Sequence, residues 1–163
     1  MPKPCYPNDT SSYVPRHAPA IYYTRIPRAV CRSDMVALPS RAIKLKRTFT
    51  WITPNLQHDM HNGTPAQASA WLKGFLGGTH GLLHRQPYTR GHTAIFIWFD
   101  SPGGGGTTST LIPFIVISPS TPHTLARKPL NQYSALRGWE AMLGLHCLAN
   151  ACHANGTRIP FHL

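Results

Sequence analysis

Apolar and polar positions change period several times along this chain, and each change predicts an element. Thr48-Phe-Thr-Trp-Ile-Thr53 is aromatic and β-branched and stops at Pro54, which predicts a strand. The polar run that follows, Gln57-His-Asp-Met-His-Asn-Gly-Thr64, predicts a loop set directly after that strand. From Pro65 the period becomes helical. Ala68, Trp71, Leu72, Phe75 and Leu76 share one face of a helix over 65–84, with Pro65 near its first position and an end or fray at Gly77-Gly78. Thr93-Ala-Ile-Phe-Ile-Trp-Phe99 is the strongest strand signal. It is apolar on both faces, as a buried parallel strand is, and it ends at Asp100. Leu111 to Ser118 predicts a third strand, with Pro113 near its start. Tyr133, Leu136, Trp139, Glu140 and Leu143 place a last helix over 131–145, stopped by Gly144.

Around these elements, 1–20 reads as an extended lead-in and 21–26 as a helical turn or short strand. Residues 27–47 carry loop and helix fragments, and from 150 the tail is polar and frayed. Strands alternating with helices give an α/β class. Three strands are few for a doubly wound domain, so the sheet reads as incomplete, part of a larger fold. There are no internal repeats.

Composition narrows the function classes. The chain has 163 residues, one ordinary domain by length, and only 13% of them are charged. Sixteen Lys and Arg face five acids, for a net charge of +11. The acids are Asp9, Asp34, Asp59, Asp100 and Glu140, so a site needing many carboxylates has almost nothing to draw on. The bases are scattered. The densest run, Arg41-Ala-Ile-Lys44-Leu-Lys46-Arg47, lacks the aromatic interleaving of an RNA-binding sheet and reads as a solvated loop. No apolar run nears ~20 residues, so no transmembrane helix is expected. The start, MPKPCYPNDTSSY, has no apolar core of a signal peptide. Cys5, Cys31, Cys147 and Cys152 show no zinc spacing, and allow three disulfide pairings or none.

In open α/β sheets ligands gather at the carboxyl ends of strands. Two such ends carry unusual polar residues: Asn55 to Asn62, with His58, Asp59 and His61, and Asp100 after the most apolar strand. A carboxylate and an imidazole two residues apart both reach one cation if the loop curls, and Asp100 on a neighbouring strand end completes a divalent-metal site. By spacing alone the ordinary roles rank first: a strand-terminating turn for Asp100 and surface-loop histidines for His58 and His61. His17 is by itself a lone histidine. Gly103–Gly106 is followed by no Lys-Ser/Thr and is a flexible loop rather than a phosphate-binding one. Ser118, Ser120 and Ser134 lack a nucleophile elbow, which leaves a Ser-His-Asp hydrolase without support.

Several segments, in order along residues 1–150, resemble one family. They are Met1-Pro-Lys-Pro-Cys5, Tyr13-Val-Pro-Arg-His17-Ala-Pro-Ala-Ile-Tyr-Tyr23, and Ile52-Thr-Pro-Asn-Leu-Gln-His-Asp59-Met-His61-Asn-Gly63. After them come Ala70-Trp-Leu72, Gly91-His-Thr-Ala-Ile-Phe-Ile-Trp-Phe-Asp100, Ile115-Val-Ile-Ser-Pro119 and Asn131-Gln-Tyr-Ser-Ala-Leu-Arg137 with Glu140. Together they look like the bacterial phosphoesterases that include secreted acid phosphatases, phosphatidylinositol-3-phosphatase-like enzymes and, more distantly, phospholipases C. The resemblance implies part of an alkaline-phosphatase-like sheet flanked by helices over 1–150, with 151–163 a polar tail. It implies a divalent metal ion held by Asp59, His61 and Asp100, and a phosphate-ester substrate. His17 would bind the phosphoryl group or protonate the leaving oxygen, and His61 would be a ligand or phosphate contact.

The chain departs from the family pattern at Ala18 (usually Asn), Asn62 and Ser69 (usually Asp), Ser101 (usually an acid) and Gln132 (usually His). By the same resemblance the chain corresponds to a C-terminal portion, with an early Glu-Asn metal motif and the nucleophilic hydroxyl lying upstream. Family members are mostly secreted or periplasmic. The function expected is hydrolysis of phosphate esters. The alternatives are a catalytically silent remnant that binds anions through its positive charge, and, on charge alone, a basic nucleic-acid-binding protein.

Overall fold

The computed structural model describes residues 1–39, 43–102, 111–121, 123, 125–157 and 161–163. The Gly103–Gly106 loop and Arg41 of the basic run lie outside them. The class is mixed α/β: four α-helices and a two-stranded antiparallel sheet among the described residues. The helices are α1 (Arg28–Asp34), α2 (Pro65–Gly77), α3 (Gln86–Thr89, a single turn) and α4 (Gln132–Met142); the strands are β1 (Ile95–Trp98) and β2 (Phe114–Ile117). The chain divides into two compact units, Met1–Arg85 and Gln86–Leu163. No helix among the described residues is long and apolar enough to cross a membrane.

In the first unit most of the chain is irregular and held by discrete ties. Cys5 is disulfide-bonded to Cys31 of α1, with Cα atoms 5.5 Å apart, and its N–H donates to the Met35 carbonyl at 2.9 Å. In the chain-entropy model, closing a separation of 26 residues stabilises by about 3.5 kcal/mol. The Leu56 N–H donates to the Ser12 carbonyl at 3.1 Å, and Val14 and Leu56 are buried. The Tyr13 hydroxyl donates to the Tyr6 carbonyl at 2.9 Å. Burial pushes the Tyr13 phenol above its ordinary range, reinforced by Tyr22 and Asp9.

The sharpest local code is at α2. Thr64 and Gln67 form a capping box: Thr64 Oγ1 accepts from the Gln67 N–H at 3.2 Å, and Gln67 Oε1 accepts from the Thr64 N–H at 2.8 Å. Pro65 occupies the first turn, where its missing N–H costs nothing. The predicted stripe of Ala68, Trp71, Leu72, Phe75 and Leu76 is the less exposed face. The helix stops at Gly77 rather than running to 84, and a short 3-10 turn follows at Leu82–His84. Thr48–Thr53 forms no strand among the described residues: Thr48 lies in a bend and 49–53 is irregular, with Phe49 and Trp51 about half exposed. Its β-type composition fits a pleated surface, but among the described residues the sheet is β1 with β2 alone.

In the second unit the predicted strands at 93–99 and 111–118 form, but as the two short strands β1 and β2. They pair antiparallel, with Ile95 opposite Ile117 and Trp98 opposite Phe114. The parallel, doubly buried expectation for β1 is corrected. Its residues are only half-buried, because one face carries the aromatics and the other presents Ile95, Ile97, Ile115 and Ile117, of which Ile115 is exposed. On the aromatic face, Trp139 of α4 meets Trp98 at 4.9 Å and Phe96 edge-on at 6.0 Å between ring centroids. Phe114 lies 6.0 Å from both Phe96 and Phe161.

Helix α4 starts with a second capping box, Asn131 with Ser134. Its buried face matches the predicted stripe only at Glu140. Ser134, Ala135, Gly138 and Glu140 are buried while Tyr133 is 45% exposed, because small residues let Thr157 approach closely. Among its described residues the tail is not frayed. Residues Ala149–His153 form a 3-10 helix clamped by the Cys147–Cys152 disulfide, and Ala151, Thr157 and Phe161 are buried. Glu140 Oε1 accepts the Leu148 N–H at 2.9 Å, which ties the tail to α4.

Two outcomes follow from these ties. A Cβ on Gly138 would overlap the buried Thr157 Oγ1, so Gly138→Ala should lose about 1–3 kcal/mol in urea unfolding. Adding Thr157→Ala should restore at least part of that loss, a non-additivity that independent sites would not show. Tyr13 is held neutral in the folded chain, so its contribution is whole below the unfolded phenol value of ~10 and fades as pH rises through the higher folded value. The stability gap between wild type and Tyr13→Phe, about 1 kcal/mol near neutral pH, should narrow steadily above pH ~10.

Candidate functional site

The polar loop after Pro54 is built by its own side chains. Asn55 accepts the His58 N–H on its Oδ1 at 3.0 Å, and its carbonyl accepts the Asp59 N–H at 2.9 Å. Asp59 then turns the chain: its Oδ1 accepts the His61 N–H at 2.8 Å, the aspartate-turn pattern available to an Asp two residues before a peptide N–H. Met60, between them, sits at φ 72°, a left-handed conformation that a non-glycine residue adopts at a cost of order 1 kcal/mol. The Asn62 N–H closes the loop onto the Leu56 carbonyl at 2.7 Å. Gly63 is required by packing, since a Cβ there would overlap the Gln57 carbonyl.

The loop meets a second segment from 42 residues earlier. His17 Nδ1 donates to Asp59 Oδ2 at 3.0 Å, with the side chains 29% and 15% exposed. The His61 ring packs edge-on against His17 at 5.7 Å between centroids. His17 is fixed through its backbone as well: Thr53 Oγ1 donates to the His17 carbonyl at 2.8 Å, and Trp51 Nε1 donates to Thr53 Oγ1 at 3.0 Å. With Nδ1 engaged by Asp59, His17 Nε2 is the ring nitrogen left for another molecule, and it has no hydrogen-bond partner among the described residues. The pair resembles the base and its orienting carboxylate in general acid–base sites.

Comparison of the chain with protein-family models, with curated proteins and with solved structures finds no match.

The structure therefore brings together His17, Asp59 and His61. Asp100 belongs to the second unit, at the end of β1, and its exposed carboxylate has no hydrogen-bond or ion-pair partner among the described residues. Gln132, at the first position of α4, donates from Nε2 to the Phe99 and Asp100 carbonyls, both at 3.2 Å, and so fixes the turn that carries Asp100. His58 is drawn away from the site: its ring stacks on Trp71 at 5.4 Å, and Trp71 stacks on Phe75 at 4.8 Å. A carboxylate and an imidazole suit a divalent cation by donor chemistry. Among the described residues, however, no group of three or more His, Cys, Asp or Glu is arranged to hold one, and both Asp59 oxygens already accept a hydrogen bond.

Thr53 and Trp51 are the supporting residues that the sequence does not single out. Nothing in their spacing points to a carbonyl 36 residues upstream. Because the loop depends on the absence of a side chain at 63, Gly63→Ala should lower stability by about 1–3 kcal/mol. It should also speed amide exchange at His61 relative to amides of α2, read by hydrogen-exchange mass spectrometry or NMR.

Proposed function

We infer that this chain carries phosphate-ester hydrolysis chemistry of the phosphoesterase kind, within part of a sheet of the alkaline-phosphatase type. The observation that carries the reading is the 3.0 Å contact between His17 and Asp59, 42 residues apart in sequence and each a site position by resemblance. Two disulfides add support, since such bonds persist in oxidising compartments, where most of the family resides.

In hydrolysis an oxygen nucleophile bonds to phosphorus, the bond to the leaving oxygen breaks, and that oxygen takes up a proton. His17, oriented through Nδ1 by Asp59, offers Nε2 to the phosphoryl group or, protonated, gives its proton to the leaving oxygen. His61, against the edge of His17, contributes a second imidazole to the same anion. Asp59 stabilises the imidazolium that binds the developing charge. The resemblance also implies a divalent cation that would neutralise phosphate oxygens when bound, and Asp59 and His61 are the residues of this unit that would face it. No step here is routed through it, because no three-ligand group is assembled among the described residues. A catalytically silent anion binder is the second reading, favoured by the net charge of +11 and by the exposure of Lys44, Lys46 and Arg47.

Turnover of p-nitrophenyl phosphate with Mg²⁺, Mn²⁺ or Zn²⁺ added separates the two. Turnover by wild type supports hydrolysis, with water supplying the attacking oxygen, since the resemblance places the nucleophilic hydroxyl upstream of these residues. His17→Ala should lower kcat/KM about 10²–10⁴-fold and His61→Ala should lower it too, while Asp100→Ala tests the carboxylate that the resemblance alone assigns to the metal. Equal background rates in wild type and all three variants would leave the silent anion binder standing. Duplex-DNA binding that falls steeply with salt would instead support a nucleic-acid partner.

A further inference from the structure

The N-terminal segment and α1 border an open cleft of about 410 Å³, lined by three exposed cations: Lys3, Arg28 and Arg32. Arg28 and Arg32 are four residues apart, so both project from one side of α1. The segment is pinned against the helix at Cys5, which adopts a left-handed φ of 54°, by the disulfide to Cys31 and by the N–H bond to the Met35 carbonyl. Tyr6 lines the same pocket and is anchored twice: its carbonyl accepts the Tyr13 hydroxyl, and its ring lies 6.3 Å from that of Tyr13. Lys3 Nζ stands 5.6 Å from the Tyr6 ring centroid.

Charge makes the pocket unusual. The acids of this unit are Asp9, Asp34 and Asp59, and each is engaged elsewhere: Asp9 with Arg16, Asp34 with Arg47 and Asp59 with His17. Lys3, Arg28 and Arg32 have no carboxylate partner among the described residues. Two guanidinium groups one helical turn apart match the oxygens of a tetrahedral dianion, and the ammonium adds a third positive charge. Tyr6, Pro4 and Pro7 supply an apolar wall beside them.

We propose that this pocket binds a phosphate or phosphonate dianion carried on an aromatic body, the dianion on Arg28, Arg32 and Lys3 and the ring against Tyr6. The site shares no residue with the His17–Asp59–His61 cluster and does not rest on the hydrolytic reading.

Calorimetric titration of the intact, oxidised chain with phenylphosphonate, which has no ester bond to hydrolyse, tests it. Inorganic phosphate and benzoate titrations separate the anion from the ring. In the His17→Ala chain, which removes the other candidate phosphoryl site, one site is expected, with benzoate and inorganic phosphate each weaker than phenylphosphonate. The double variant Arg28→Gln/Arg32→Gln should bind at least about tenfold more weakly and Lys3→Gln about threefold. His17→Ala should leave the affinity of this pocket within about twofold, whatever the histidine cluster itself binds. Far-UV circular dichroism and a thiol count confirm that each variant keeps its fold and its disulfides. Absence of binding, affinity unchanged in both pocket variants, or loss of binding in His17→Ala would overturn the proposal, the last by assigning the anion to the histidine cluster.

Discussion

The Asp59 carboxylate is the hinge of the first unit's polar architecture. One oxygen holds His17 from a distant segment; the other holds the N–H of His61 and thereby the turn through Met60. A carboxylate that takes a local backbone donor and a remote imidazole together converts a flexible polar loop into a fixed arrangement of two histidine rings. The chain spends a scarce group on this. Asp9 and Asp34 make exposed pairs with arginines, of the kind worth little in water, whereas the Asp59 side chain is only 15% exposed. Shielding strengthens both of its contacts, and the Trp51–Thr53 hydrogen bonds hold the opposite partner still by gripping the His17 backbone.

The second unit is organised by a different force. Its strands are four residues each, too short and too few to be stable as a sheet alone. They persist because Phe96, Trp98 and Phe114 share a face, and Trp139 of α4 covers that face. Helix α4 is itself drawn close on its small side, at Gly138, by Thr157. Gln132 sits where this architecture needs an anchor: as a neutral amide it donates to two carbonyls at the end of β1 at once, which a neutral imidazole with one N–H does not do.

Local codes were legible in the sequence and long-range ones were not. Pro65 announces the start of α2, and the Trp71–Phe75 stripe announces its face, because both depend on residues within one or two turns. The loop at Asp59 and His61 was equally visible as a polar run after Pro54, though the turn that Asp59 makes with the His61 N–H was not read from it. The strand at Thr48–Thr53 failed for the opposite reason. Its composition is right for a sheet, but a strand exists only through a partner, and a partner is a property of the whole chain. The direction of β1 against β2 failed likewise, because apolar residues on both faces describe the residues and not the neighbour's polarity. In α4 the buried face follows Gly138 and Ala135 rather than the large apolar residues: close approach by Thr157 rewards the absence of side chains, which hydrophobic periodicity does not register.

Positive charge and a thin apolar core explain why covalent ties stand where they do. Among the described residues only Val14, Cys31, Leu56, Leu82, Ala135, Ala151 and Phe161 are buried hydrophobics, too few for apolar burial alone to fix long irregular segments. Lys3, Arg28 and Arg32 repel one another, and in a solvated loop that repulsion would push the N-terminal segment off α1. The Cys5–Cys31 bond opposes it without using any of the five acids. A disulfide thus does here what a carboxylate would otherwise do, and it does so without neutralising the field. The cations are left close together and unpaired, a state that favours an incoming anion because part of the cost of gathering the charges has been met in folding.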